Sequence, residues 1–148
     1  MTDAPNFELP EFLASQTATR MGMDNTPPVA VLRRIETLLA PGMQRVRNLF
    51  GLPVVISSGY RSPEVNRAVG GAAASQHVQG LAADFTVPKF GPPLDVAREI
   101  AAHGDAIRFD QLIFEGQWVH ISFAEIQRGE VLTAHFGPGG TRYTKGLA

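Results

Sequence analysis

Two histidines and a carboxylate, His77, Asp84 and His120, are the residues whose types and spacing could hold a metal ion in this chain. His77 and Asp84 share the run Ser75-Gln76-His77-Val78-Gln79-Gly80-Leu81-Ala82-Ala83-Asp84, and His120 sits in Trp118-Val119-His120-Ile121-Ser122. A structural zinc site closes its coordination with four protein ligands, whereas a catalytic one usually supplies three and leaves a position for water. The three residues fit the second pattern. A metal so held lowers the pKa of its bound water to about 7 and polarises a carbonyl. A neighbouring carboxylate can then take the water proton and pass it to a leaving amine, and Glu115 is the candidate. Arg61, just after the Ser57-Ser58-Gly59 turn, could pair with a substrate carboxylate or stabilise a developing oxyanion; the competing reading is a surface salt bridge. Taken singly, each of these residues is ordinary, and their joint spacing is what points to a site.

These side chains need strands to present them. Residues 109–115 and 118–123 flank Gly116-Gln117, a Gly-X pair suited to a two-residue type II′ hairpin. That turn sets Glu115 opposite Trp118 and Ile113 opposite His120, so Gln111, Ile113, Glu115, Trp118, His120 and Ser122 share one face. Leu112, Phe114, Val119, Ile121 and Phe123 take the other, which is uniformly apolar and is expected to be the core face. Residues 81–87 read as a further strand, with Ala82, Asp84 and Thr86 on the face away from Leu81, Ala83, Phe85 and Val87.

The remaining elements follow from periodicity and punctuation. A helical lead-in is expected over 1–25, beginning with a short flexible stretch and a brief helix around Pro10. Thr26 reads as an N-cap, and Val29, Leu32, Ile35, Leu38 and Leu39 recur at helical spacing until Pro41-Gly42 kinks or splits the helix, which stops at Gly51. Val54-Val55-Ile56 is a strand, Ser62-Pro63-Glu64 caps a short helix, and residues 70–75 form a small-sided loop that could approach a ligand closely. Pro92-Pro93 opens another helix, ended near His103-Gly104. Residues 131–136 are a last strand, and 137–148 an irregular tail. The fold class is α+β, one domain over 1–148 with helices packed on a mainly antiparallel sheet and a metal-site core over 54–123.

Composition narrows the chemistry. At 148 residues, with 44% hydrophobic and 18% charged, the chain can bury a core without staples. Having no cysteine, it must build any transition-metal site from His and carboxylate. A net charge of -1 offers no footprint for nucleic acid, and no run approaches the roughly 20 apolar residues of a membrane span. No export signal is expected at residues 1–9, and nothing suggests an obligate interface, so a monomer is expected. Other polar residues have weaker claims. Trp118 could stack on substrate or pack across the hairpin, and Asp110 and Gln111 could bond the outer nitrogen of a ligand histidine, Asp110 equally being a cap. Ser75 and Gln76 shape the loop presenting His77, His103 faces water, and His135 could approach the metal on a strand of the same sheet.

The runs Ser58-Gly59-Tyr60-Arg61-Ser62, Asn66, Gly70-Gly71, Ser75-x-His77-x-x-Gly80-x-Ala82-x-Asp84 and Trp118-Val119-His120 together resemble the zinc D-alanyl-D-alanine carboxypeptidases and related peptidoglycan peptidases, which share a fold with the hedgehog signalling domain. The resemblance implies one zinc ion held by His77, Asp84 and His120, a substrate-binding or polarising arginine at Arg61, and an acid-base residue shortly before the last histidine. Some relatives carry a glutamate three residues before that histidine, where this chain has Gln117; others place it five before, where this chain has Glu115. The expected activity is metal-assisted hydrolysis of an amide in peptidoglycan stem peptides, of carboxypeptidase or endopeptidase type. The alternatives are a catalytically silent wall-binding or virion module and a hydrolase of non-wall peptides. The leading helices, split helix and turn-rich end also resemble small phage or prophage lytic enzymes, made in the cytoplasm and reaching the cell wall through a holin or on a virion.

Overall fold

A computed structural model describes residues 1–147. Six strands form one sheet in the order β1-β2-β4-β3-β5-β6: β1 Val55–Ser58, β2 Ala82–Thr86, β3 Gln111–Phe114, β4 Val119–Ser122, β5 Glu130–Gly137 and β6 Gly140–Lys145. Every pairing is antiparallel except β3 with β5, and helices cover one face, giving the mixed, mainly antiparallel α+β architecture. The helices are α1 Leu9–Leu13, α2 Gln16–Met21, α3 Val29–Arg34, α4 Ala40–Phe50, α5 Pro63–Ala68, α6 Pro93–Ala102 and α7 Gly104–Ile107. None of the described helices is long and apolar enough to cross a membrane.

Alternation along the strands decides the layers. Ala83 and Phe85 of β2, Leu112 of β3 and Val119 and Ile121 of β4 join Phe123 in a buried cluster with Ile35, Leu39, Met43, Val46, Val96 and Ile100 of the helical layer. Phe123 lies so close to Gly42 that a Cβ there would sit 2.5 Å from its ring, so the helix meets the sheet through a glycine. The strand register matches the hairpin argument: Ile113 faces His120, and Asp84 of β2 flanks His120 from the other side. The turn itself differs. Gln117 N–H donates to the Glu115 carbonyl (3.0 Å) across Gly116 at φ 83°, a γ-turn, while Glu115 N–H donates to the Trp118 carbonyl (3.1 Å). The loop length sets the register, and the local bonding chooses the tighter turn.

Three other expectations change. The helix is divided ahead of Pro41, not at it: a π turn over Ile35–Leu39 separates α3 from α4, with Ala40 N–H reaching back to the Ile35 carbonyl. The wider turn absorbs the donor that Pro41 lacks. Thr26 is not its cap; α3 starts after Pro28, and Thr26 N–H instead bonds Asp24. Residues 137–148, expected as an irregular tail, contain β6, which pairs with β5 from Leu132–Lys145 to Gly137–Gly140. The lead-in is also docked: Ala4, Phe7 and Phe12 are buried, and Asn6 exchanges hydrogen bonds with Gln44.

Candidate metal centre

His77, Asp84 and His120 come together although they belong to a loop and two strands. Asp84 Oδ1 lies 3.2 Å from His77 Nε2 and 3.1 Å from His120 Nδ1, and all three residues are buried. Ligand atoms around one tetrahedral zinc, each at 2.0–2.1 Å, stand about 3.3 Å apart, so this spacing suits a shared ion. The orientation of His77 strengthens the fit. Its Nδ1 lies 2.7 Å from the Gly59 carbonyl, an acceptor only, so Nδ1 carries a hydrogen and Nε2 is the nitrogen turned toward the Asp84 carboxylate. The 3.2 Å between Nε2 and the carboxylate oxygen is a gap that either a proton or a metal ion bridges. Burial pushes the Asp84 carboxyl up, but hydrogen bonds from His120 and His77 outweigh it and hold the group well below the usual carboxylate range. The residues therefore offer an ionised, buried donor set able to hold a metal.

The support for His77 begins at the N-terminus of the chain. The Phe12 carbonyl accepts from Tyr60 N–H at 2.7 Å, and Phe12 packs so tightly on Gly59 that a Cβ there would lie 2.5 Å from that oxygen. Asn25 ties the two segments further: its amide donates to the Leu13 and Tyr60 carbonyls, and its Oδ1 accepts from Ser62 N–H. The same turn delivers Arg61, whose N–H donates to the His77 carbonyl at 3.2 Å. Asn25 was invisible to motif reading, since a lone asparagine before two prolines reads as a loop residue; its three bonds span 12 to 37 residues.

Glu115 stands beside the cluster, its Oε2 3.7 Å from His120 Nδ1 and its Oε1 accepting from Trp118 Nε1 at 3.2 Å. Burial raises its carboxyl above the ordinary value, the His120 side chain works against that rise, and the Asp84 charge adds to it. Arg61 lines the same cleft. Burial pulls its guanidinium below its ordinary value, opposed by the Asp84 and Glu115 charges, and its Nε is buried without a hydrogen-bond partner. The surface salt bridge weighed for Arg61 is absent from its described contacts, which leaves its donors to the cleft.

Asp110 neither caps a strand nor touches a ligand histidine. It is buried, accepts from Gln76 Nε2 at 2.8 Å, and takes a fork from Arg128 Nε and Nη2 at 2.9 and 2.8 Å together with the Arg128 N–H. It thus pins the residue beside His77, while Gln111 binds Glu130 instead. Ser75 Oγ accepts from His77 N–H, which fits a loop-shaping role. His103 is exposed. His135 shares the sheet but not the face, because Ile113 pairs with Leu132 and alternation turns His135 to the opposite side, where it bonds Thr144.

The cleft holding these groups has a volume of about 860 Å³ and is lined by Arg61, the loop over 69–76, Trp118 and, from the C-terminal hairpin, Leu132, Phe136 and Tyr143. Burial, then the Glu115 and Asp84 carboxylates, push the Tyr143 phenol up, which places it within the electrostatic field of the centre. Sequence reasoning missed this wall because it took residues 137–148 as a tail. No curated protein matches the chain. The peptidase M15 family profile matches residues 5–122, which include Arg61, His77, Asp84, Glu115 and His120. The chain belongs to the peptidase M15 family.

Proposed function

We propose that the chain is a zinc-dependent peptidase that hydrolyses an amide bond in peptidoglycan stem peptides, with His77, Asp84 and His120 as metal ligands, Glu115 as acid-base residue and Arg61 as electrophile. The observation that carries the reading is the carboxylate of Glu115 standing 3.7 Å from His120 in the lining of the cleft. Zinc, when bound, supplies a Lewis acid and an activated water. Glu115 then accepts the proton released as water adds to the scissile carbonyl and returns it to the departing nitrogen. Its raised affinity for a proton suits the second transfer, and Trp118 holds the carboxylate in place through Oε1. Arg61 offers its guanidinium to the oxygen on which negative charge develops, in a partly buried setting where water screens it less than at the surface.

The wall-peptide assignment rests on the resemblance of the Arg61, His77, Asp84 and His120 motifs to peptidoglycan peptidases. Digestion of defined muropeptides followed by mass spectrometry tests it. The zinc-loaded protein is expected to release a product with a new amine, to stop on treatment with a chelator, and to resume when zinc is restored. Zinc binding without any amine released would leave a silent wall-binding module as the better description.

A further inference from the structure

The hairpin formed by β5 and β6 lies beyond residue 122, outside the family match, yet it builds one side of the cleft. Register fixes which side chains it offers. Ile113 pairs with Leu132, Ala134 with Tyr143 and Phe136 with Thr141, so Leu132, Ala134, Phe136, Thr141 and Tyr143 share the face that carries Glu115 and His120. Phe136 and Tyr143 are diagonal neighbours on that face and remain 60% and 53% exposed. Two large rings left in water beside a buried polar centre, and rimmed by Thr141, are a surface suited to an extended ligand.

Spacing makes the arrangement more specific. Glu115 follows Phe114, the partner of Thr133, so Ala134 sits beside Glu115 on the next strand and Tyr143 beside Ala134 on the one after. With strands about 4.8 Å apart, the Tyr143 backbone lies roughly 10 Å across the sheet from that of Glu115. The side chain between them is a methyl group. The result is a trough floored by Ala134, with Glu115 and His120 on one side and Tyr143 on the other, open along its length. Its cleft is near the upper end of the 300–1,000 Å³ range usual for small-molecule sites, more than a dipeptide needs.

We propose that Phe136 and Tyr143 form a recognition platform for the part of a peptide substrate remote from the scissile bond, so that the protein selects oligopeptides over dipeptides. The inference rests on the peptide substrate proposed above. The test uses the zinc-loaded full chain and the fluorescence of Trp118, its single tryptophan, titrated with D-Ala-D-Ala and with a disaccharide pentapeptide. Wild type is expected to bind the longer ligand at least tenfold more tightly, and the double variant Tyr143→Ala, Phe136→Ala to bring that ratio near one with zinc content and melting temperature unchanged. A ratio near one in wild type, or the same ratio in both proteins, overturns the platform. The two readings fail separately: an unchanged ratio with intact hydrolysis removes the platform alone, whereas a collapsed ratio without hydrolysis keeps it around a silent centre.

Discussion

The two halves of the sheet treat the same face in opposite ways. In the half formed by β2, β4 and β3, the site face is dry: Asp84 and His120 are 8% exposed and Ser122 is fully covered. In the half formed by β5 and β6, it is wet, with Phe136, Tyr143 and most of β6 exposed. Burying polar groups costs free energy unless each finds a partner, so the first half must hold its side chains in one arrangement. Asp84 answers two histidines, His77 answers Gly59, and Glu115 answers Trp118. The wet half faces no such demand. Its rings gain little stability from where they stand, and their placement makes physical sense as a surface waiting for a ligand. Chemistry is assigned to the constrained half and selection to the permissive one.

The largest expected effect breaks the constrained half outright. Asp84→Ala removes the one atom shared by both histidines, and zinc binding measured by competition with a chromogenic chelator is expected to weaken by more than about 100-fold. Muropeptide hydrolysis is expected to fall to background. Retention of stoichiometric zinc in that variant would move the metal elsewhere. Next in size is Glu115→Gln, which keeps the side chain's shape and its bond to Trp118 but cannot accept a proton. Zinc content should match wild type while turnover drops by roughly 10²- to 10⁴-fold. Turnover at the wild-type level would pass the acid-base role to another group, with Gln117 excluded by its chemistry.

The contrast between the halves also explains what could be read in the sequence. The hairpin register was legible because alternation of apolar residues admits only one pairing: any slip by a residue would bury Glu115 and expose Leu112. His77 and Asp84 were legible through glycines and small residues spaced to bring a loop against a strand, and Gly80, at φ 76° beneath Val31, is one of them. Asn25 and Asp110 were not legible as supports, because each acts across long sequence separations through bonds that no local pattern announces. The γ-turn at Gly116 and the π turn before Pro41 were missed for a shared reason. Both are small departures from common geometry that settle a hydrogen bond locally, and neither alters the hydrophobic pattern. β6 was hidden by its surroundings. A strand exposed over most of its residues carries no apolar alternation, and the Gly137-Pro138-Gly139-Gly140 run that reads as the start of an irregular tail is the turn that lets it fold back on β5.

A third prediction weighs the bracing of the dry half. The fork and backbone hydrogen bonds from Arg128, with that from Gln76, hold the Asp110 carboxyl down to about 2 against an ordinary 3.8. Because the folded value is the lower one, the ionised group stabilises the fold fully above about pH 4 and loses that contribution as the pH falls toward about 2. Asp110→Asn is expected to cost about 2 kcal/mol at neutral pH, and the gap between the two proteins in urea denaturation should close across that acid window. Lower zinc affinity of a few-fold should accompany it, since Gln76 and with it His77 are less firmly placed. A stability gap that persists unchanged to pH 2 would trace the cost to packing instead of charge.

The smallest effect asks to which half Trp118 belongs. Its indole N–H donates to Glu115 Oε1 at 3.2 Å, which makes it part of the dry centre, but it also lines the open cleft, where it could stack on substrate. Trp118→Phe separates the two roles, because phenylalanine keeps an aromatic face and loses the donor. One such hydrogen bond is worth roughly 0.5–1.5 kcal/mol, so if its task is to aim the carboxylate, kcat on a muropeptide should fall about three- to tenfold with KM nearly unchanged. If the ring instead serves the ligand, phenylalanine should preserve kcat, and Trp118→Ala should raise KM. The geometry favours the first outcome: Glu115 and Trp118 face each other across the γ-turn, joined by a backbone hydrogen bond as well as the side-chain one, so the indole is placed by the same turn that places the carboxylate it holds.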